Sequence, residues 1–203
     1  MKSTAVLLLV CSVCASVAIT SAAPITFYFS GSGAGSLDGV SFSETGFSIT
    51  ATADTDDWQE VYPTLDRLIN HSASIVIDGV GSFTFVSETS THYSSSDGSV
   101  GLGRGTGATL IDRLFAPELA AWDLVSSVET GVGALLLQQW TAIPGHPYLT
   151  PVLTDGGQLV FDTVWTTGVF KAAVTESVPE TGATGLLLGV LLVGLFISRR
   201  RSG

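Results

Sequence analysis

Ile75-Val-Ile-Asp-Gly-Val-Gly-Ser-Phe-Thr-Phe85 holds two alternating apolar runs around an Asp-Gly pair. Ile75 and Ile77 precede Asp78-Gly79, and Phe83 and Phe85 follow with Ser82 and Thr84 between them. In a strand, successive side chains point to opposite faces, so each run presents one apolar and one polar face. Asp-Gly supplies the backbone freedom that a tight hairpin turn demands. The stretch therefore predicts a β-hairpin with one buried face.

The same alternation recurs on both sides of it. Ile25, Phe27 and Phe29 alternate with Thr26, Tyr28 and Ser30, and Phe47, Ile49 and Ala51 with Ser48 and Thr50. Trp122 to Val128, Gly133 to Gln138, Gly157 to Val164 and Val169 to Thr175 are further candidate strands, with a turn at Asp155-Gly156-Gly157. Leu110 to Ala121 is the exception: Pro117 suits a first helical turn and Glu118 complements the helix dipole, so a short helix or 3₁₀ turn is expected. Ser87 to Gly107 reads as a long polar loop with one weak strand, and Ala142 to Pro151 as a proline-rich loop. No fixed-period repeat is present. The pattern predicts an all-β fold, an antiparallel, jelly-roll-like β-sandwich with one short helix. Phe47, Ile49, Ile75, Ile77, Phe83, Phe85, Val160 and Phe170 are the expected core, with Trp122 and Trp165 in or near it.

The two ends have a different composition. Lys2 precedes the apolar run Ala5 to Val10, and small residues at Ser21 and Ala23 fit a cleavage site before Pro24, so residues 1–23 read as a signal peptide. Cys11 and Cys14 both lie inside it, and Val10 and Val13 stand where a lipoprotein signal needs a small residue. The chain after Ala23 has no cysteine, hence no disulfide and no thiolate metal site. At the other end, Val178-Pro179-Glu180-Thr181-Gly182 is followed by uncharged Ala183 to Ser198 and then Arg199-Arg200-Arg201. That apolar run reads as a membrane-spanning helix. At ~1.5 Å per residue it reaches ~24 Å, and Thr181, Gly182 and snorkelling arginine stems extend it toward the ~30 Å hydrocarbon core. The arginines, with the tail 199–203, belong on the cytoplasmic side, which places residues 24–177 outside as an ectodomain.

Between Pro24 and Ser177 lie seventeen of the eighteen acids and only Arg67, Arg104, Arg113 and Lys171 of the bases, a formal charge of −13. Such a surface makes nucleic acid and anionic lipid poor partners and favours solubility and cations.

Catalytic patterns are missing. Phe29-Ser-Gly-Ser-Gly-Ala-Gly35 follows a strand, but its spacing is G-x-G-x-G, and Leu37-Asp38-Gly39-Val40 beyond it is turn-like where a dinucleotide site needs a helix. Gly101-Leu-Gly-Arg-Gly-Thr-Gly107 lacks the Gly-Lys-Ser/Thr ending of a phosphate loop. His71, His92 and His146 are far apart in polar stretches and read as surface residues. Asp54, Asp56, Asp57 and Glu60 form the densest acidic cluster and are the weak candidates for calcium, without the glycine or the regular alternation of an EF-hand loop. Trp58, Trp122, Trp140 and Trp165 could supply a sugar-stacking platform, and Asn70-His71-Ser72 is a glycosylation sequon in a eukaryotic host. No cofactor and no enzymatic activity are expected.

The tail resembles the PEP-CTERM sorting signal of Gram-negative bacteria, in the variant where Val-Pro-acidic is followed by Ser/Thr-Gly. Val178-Pro179-Glu180, the Gly/Leu-rich span and Arg199-Arg200-Arg201 carry the resemblance. Phe29 to Leu37, Phe47 to Thr52 and Ala73 to Gly81 are similar to segments of domains that precede that signal. The resemblance implies recognition by an exosortase, cleavage near the motif, and delivery to the cell surface or an exopolysaccharide matrix. One departure stands out: Thr181 occupies the place of the family's second proline. Pro179-Glu-Thr-Gly182 also echoes the LPXTG signal that sortases cut between Thr and Gly. The apolar run begins directly after Gly182, without a polar spacer, which ranks an exosortase above a sortase. Either enzyme needs an extended peptide at the membrane face, and Pro179 supplies it by disfavouring helix at Val178. An anchor that is never cut is the third reading.

These readings converge on an exported, acidic, non-enzymatic protein of the surface or of a biofilm-type matrix. The alternative is a membrane-anchored carbohydrate-binding module or glycoside hydrolase. An aromatic-lined groove holding two carboxylates would favour that alternative.

Overall fold

Alternating apolar residues with no amphipathic helix to cover them must bury one another, and the computed structural model of the chain shows how. It describes residues 22–104, 108–138 and 152–175. The expected loop from Ala142 to Pro151, nearly all of the signal peptide 1–23, the motif Val178 to Gly182, the span 183–198 and Arg199 to Arg201 lie outside the described residues. Among the described residues, no helix is long and apolar enough to cross a membrane.

The chain from Ala22 to Glu176 is one compact unit. Its strands are β1 (Pro24–Leu37), β2 (Val40–Asp54), β3 (Gln59–Tyr62), β4 (Leu65–Ile69), β5 (Ser72–Ile77), β6 (Gly81–Thr84) and β7 (Ser90–Ser94). They continue with β8 (Ser99–Arg104), β9 (Ala108–Phe115), β10 (Val128–Glu129), β11 (Gly133–Leu137), β12 (Val152–Thr154), β13 (Gly157–Phe161) and β14 (Val164–Val174). Short 3₁₀ turns at Thr55–Asp57 and Pro117–Ala121 supply the helical content among the described residues. Every recorded pair is antiparallel, and the main path runs β3-β4-β7-β8-β9-β11-β14-β1-β2-β5-β6.

β1 is the spine. It pairs with β2 along its length on one side. On the other side it pairs with β14 from Ile25 to Gly31 and with β13 from Gly35 to Leu37. Its alternation falls as expected: Ile25, Phe27 and Phe29 are buried. Phe29 is flanked by Phe170 of β14 and Ile49 of β2, with the Phe29 and Phe170 ring centroids 4.9 Å apart. Each such phenyl ring removed from water contributes roughly 1.5–3 kcal/mol.

The hairpin at Asp78-Gly79 forms as the sequence predicts: Ile77 pairs with Gly81, and Gly79 takes φ 71°. Its far end then closes a circuit. Phe85 bridges Thr154, Val86 N–H donates to Leu153 O at 2.9 Å, and Asp155 N–H donates to Thr84 O at 2.9 Å. Hydrogen bonding thus runs around β1, β2, β5, β6, β12 and β13 and back to β1, enclosing the buried Leu37, Phe47, Phe85, Val152 and Phe161. The buried residues of the whole unit make one cluster. Phe27, Trp58, Tyr93 and Phe170 surround Trp122 with centroid distances of 5.6–6.5 Å.

Several expectations are corrected. Most of the loop expected from Ser87 to Gly107 is paired: β7 and β8, Ser90 to Arg104, form a hairpin whose Ser90, Thr91 and Ser99 are buried, and residues 105–107 lie outside the described residues. Leu110 to Phe115 belongs to β9, and only Pro117–Ala121 makes the expected turn. Trp122 to Val128 is not a strand up to Val128, because the Asp123 carboxylate accepts hydrogen bonds from Val125 N–H, Ser126 N–H and the Ser126 hydroxyl, and Leu124 takes φ 68°. Leu159 and Phe161 face inward in β13, so Val160 is in the wrong phase for the core; Phe83 is only half-buried. Trp165 is 59% exposed, whereas Trp122 is buried as expected.

The glycine-rich start of the chain also finds its reason. Gly31, Gly33 and Gly35 share the inward face of β1. A Cβ on Gly31 would meet Leu135 Cδ2 at 2.6 Å, and one on Gly33 would collide with Leu137 Cδ1. These glycines let the leucines of β11 lie across β1, a packing role that needs no phosphate.

Candidate functional site

A fork in the sheet creates the site. The last β1–β14 pair is Gly31 with Gly168, and the first β1–β13 pair is Gly35 with Phe161. Between them the two strands diverge, and Asp162 N–H ties the gap shut at one end by donating to Ala34 O at 2.9 Å. The opening is a groove of about 500 Å³, lined among others by Ser32, Gly33, Glu44, Asp162, Trp165 and Thr166. The Ser32 and Thr166 hydroxyls lie 3.4 Å apart within it.

Glu44 reaches the groove through a β-bulge. Gly33 pairs with Thr45 and Gly35 with Phe42, so Ser43 and Glu44 together oppose Ala34. Glu44 sits at φ 51°, a left-handed conformation that costs a non-glycine residue on the order of 1 kcal/mol. A bulge re-aims the side chains of the strand it interrupts. Trp165 is placed by parity: Gly168, Phe170 and Ala172 face inward, so Trp165 faces out. Its ring is stacked on Phe115 of β9 at 6.1 Å and 25° between planes. Trp58 and Trp122 are used differently, since their indole N–H groups donate to the carbonyls of Leu124 and Ser126 at 3.0 and 2.8 Å. Glu44 and Asp162 make no ion pair among the described residues. The groove thus offers an aromatic plane, two carboxylates and two hydroxyls over a glycine floor.

A second groove of about 420 Å³ lies over β4, β7 and β9, lined by Tyr62, Arg67, His92, Ser99, Asp112 and Arg113. Its arginine charge is partly answered from within, because Arg113 contacts Asp97 at 3.1 Å and Asp112 at 3.6 Å. Arg67 Nε is buried there with no hydrogen-bond partner among the described residues. His92 Nε2 lies 3.2 Å from the Asp112 carbonyl, and burial of the ring holds its pKa below the usual imidazole range against that hydrogen bond. Nearby, burial and then Glu60 raise the pKa of Asp66.

The acidic cluster comes apart in the fold. Asp54 and Asp57 converge with His71, their ligand atoms all within 4.8 Å of one another. Asp57 Oδ2 lies 3.1 Å from His71 Nε2. Asp56 is exposed in the 3₁₀ turn, and Glu60 belongs to β3 facing Asp66. Asn70 of the sequon is buried, donating to Thr89 Oγ1 at 3.1 Å and accepting from Thr91 Oγ1 at 3.0 Å, so the folded domain has no room for a glycan there. Ala23 and Pro24 are part of the fold: Ala23 O accepts from Thr55 N–H at 3.0 Å, and Pro24 pairs with Asp54.

Glu44 and Asp162 were not marked out by the sequence, because only the bulge and the fork bring them together. Trp165 carried a readable signal, its odd spacing of five residues from the inward Phe170.

No protein-family model, curated protein or solved structure matches this chain.

Proposed function

We propose that the chain is an exported, acidic protein of the cell surface or extracellular matrix. In this reading a signal peptide (1–23) exports it and the span 183–198 holds it in the membrane with its ectodomain outside. An exosortase-type enzyme, with a sortase as the second choice, releases or transfers it at Val178 to Gly182. The ectodomain is a jelly-roll-like β-sandwich formed by one sheet folded over its own apolar face.

The observation that supports this reading is the extent of the strands among the described residues. β1 begins at Pro24 and β14 ends at Val174, and Thr175 N–H donates to Pro24 O at 2.9 Å. Both expected cuts lie beyond the described strands, so removing both signals spares those strands and breaks only the hydrogen bonds between Ala23 and Thr55. The charge of −13 and the absence of cysteine after Ala23 fit a soluble exterior domain held by its core alone.

Intact-mass analysis of the native protein tests the proposal. A main surface species that starts near Pro24 and ends between Val178 and Thr181 is expected, and Pro179→Ala should slow its appearance more than Ser177→Ala. A main species that keeps Arg199 to Arg201 would reduce the tail to a plain anchor.

A further inference from the structure

We propose that the groove at the β1–β14 fork binds a non-acidic carbohydrate chain, with Trp165 as the stacking platform and Glu44 and Asp162 as hydroxyl acceptors. Pyranose rings carry an apolar face of C–H groups and a rim of hydroxyls. They are held where an aromatic plane lies beside a few fixed polar groups. The groove has that composition. Trp165 is exposed on a strand, and the stacked Phe115 fixes its ring, so little side-chain freedom is lost on binding. Its indole N–H has no partner among the described residues, unlike those of Trp58 and Trp122. Glu44 is brought into the groove by a bulge with a left-handed backbone, and Asp162 by the turn from β13 to β14. Neither carboxylate is in an ion pair among the described residues, so both can accept from ligand hydroxyls. The Ser32 and Thr166 hydroxyls add a donor–acceptor pair on the floor.

Charge selects among sugars. Two unpaired carboxylates in a domain of charge −13 repel uronates and sulfated chains and accept neutral or amino sugars. The groove is open, which suits an internal stretch of a chain. Where β1 leaves β14, its Ala34 carbonyl accepts from Asp162 N–H at 2.9 Å, which holds the Asp162 end of the groove against β1.

The test uses the full chain in a zwitterionic detergent that contains no sugar. Hexamers of β-1,4-glucose, α-1,4-glucose, β-1,4-glucosamine and α-1,4-uronate are titrated by calorimetry and by tryptophan fluorescence. At least one of the three non-acidic hexamers should saturate the protein and shift its fluorescence. Trp165→Ala should weaken that binding about tenfold or more, and Glu44→Gln about threefold, as loss of one stacking surface and one charged acceptor implies. Far-UV dichroism and melting should match the parent, since Trp165 lies on the outer face. The uronate hexamer should bind at least about tenfold more weakly than the best neutral one. Three results would overturn the proposal: no hexamer saturates, Trp165→Ala binds like the parent, or the uronate binds as well as the neutral chains. Tail processing is read by mass and involves none of these residues, so the two readings fail separately.

Discussion

Thr175 closes on Pro24: its backbone N–H donates to the Pro24 carbonyl at 2.9 Å, so the residue that follows β14 and the first residue of β1 complete the ladder at one end of these two central strands. The register behind it is regular, with Ile25 opposite Val174, Thr26 opposite Ala173 and Phe27 opposite Ala172. The strand pairing of this corner lies in residues 24–174, and beyond it Ala23 exchanges two hydrogen bonds with Thr55, its carbonyl accepting from Thr55 N–H and its N–H donating to Thr55 Oγ1. A chain trimmed to Pro24–Glu176 keeps every described strand pair and loses only the Ala23–Thr55 hydrogen bonds, so its stability to urea should lie within about 1–2 kcal/mol of the full chain. A chain ending at Lys171 loses those three pairs and uncovers Ile25 and Phe27, and should lose on the order of 3 kcal/mol or more. A large midpoint drop for the first truncation would show that the removed ends stabilise the domain.

The glycine track makes a coupled prediction. Leu137 occupies the space a Cβ on Gly33 would need. Gly33→Ala should cost roughly 1–3 kcal/mol by overpacking, and Leu137→Ala roughly 2–5 kcal/mol by leaving a cavity. The double variant should be less destabilised than the sum, because the small side chain at 137 admits the new methyl group. A double-mutant cycle by denaturant unfolding reads the coupling, and strict additivity would show that the two residues do not compete for one space.

What was legible in the sequence follows from which face a residue could choose. β1, β2 and the Asp78-Gly79 hairpin alternate cleanly because one side of each meets the core, and their phase was readable down to Phe85. β7 and β8 were not, because they bury hydroxyls. Asn70, Thr89 and Thr91 satisfy one another inside, so a buried strand pair has the composition of a loop. β9 resisted for another reason: register shifts against β8 and β11 break the period, and Leu110 and Ile111 are both buried. Around Asp123 a side chain outbid the sheet for three donors and ended a run that looked like strand. The groove was least legible. Its parts come from residues 32–34, 44 and 162–166, and only a bulge and a change of strand partner bring them together.

The acidic loop gives a prediction about cations. Asp54 and Asp57 meet at His71, and Asp57 already has the imidazole as a partner. Calcium takes six to eight oxygen ligands, which a half-buried carboxylate, an exposed one and a nitrogen do not approach. Salt should stabilise the domain by screening its charge of −13, and NaCl and CaCl₂ at matched ionic strength should raise the melting temperature equally. A larger shift in CaCl₂ that is lost in Asp54→Asn would establish a calcium site there.

His92 should set how the fold responds to mild acid. Its ring stands over Gly101 and its Nε2–H donates to the Asp112 carbonyl, with Arg67 opposite it in the sheet and Arg113 nearby. Burial disfavours the imidazolium and lowers the pKa of the folded state from the ordinary value of 6.5. Between that lowered value and 6.5 the unfolded chain binds more protons than the folded one, so stability is full above about pH 6.5 and falls as the pH drops. The slope for one proton is at most about 1.4 kcal/mol per pH unit, and it vanishes below the folded pKa. Asp66, whose pKa is raised from 3.8, acts in a lower window and with the opposite sign, since its protonation favours the folded state. Urea unfolding from pH 7.5 to 5.5 lies above the Asp66 window, and comparison with a His92 variant separates His92 from His71 and His146. The parent should lose stability over that range, and His92→Gln, which keeps a donor for the Asp112 carbonyl and cannot titrate, should lose clearly less. Parallel curves for the two proteins would mean that His92 takes up its proton in the folded state as readily as in the unfolded one.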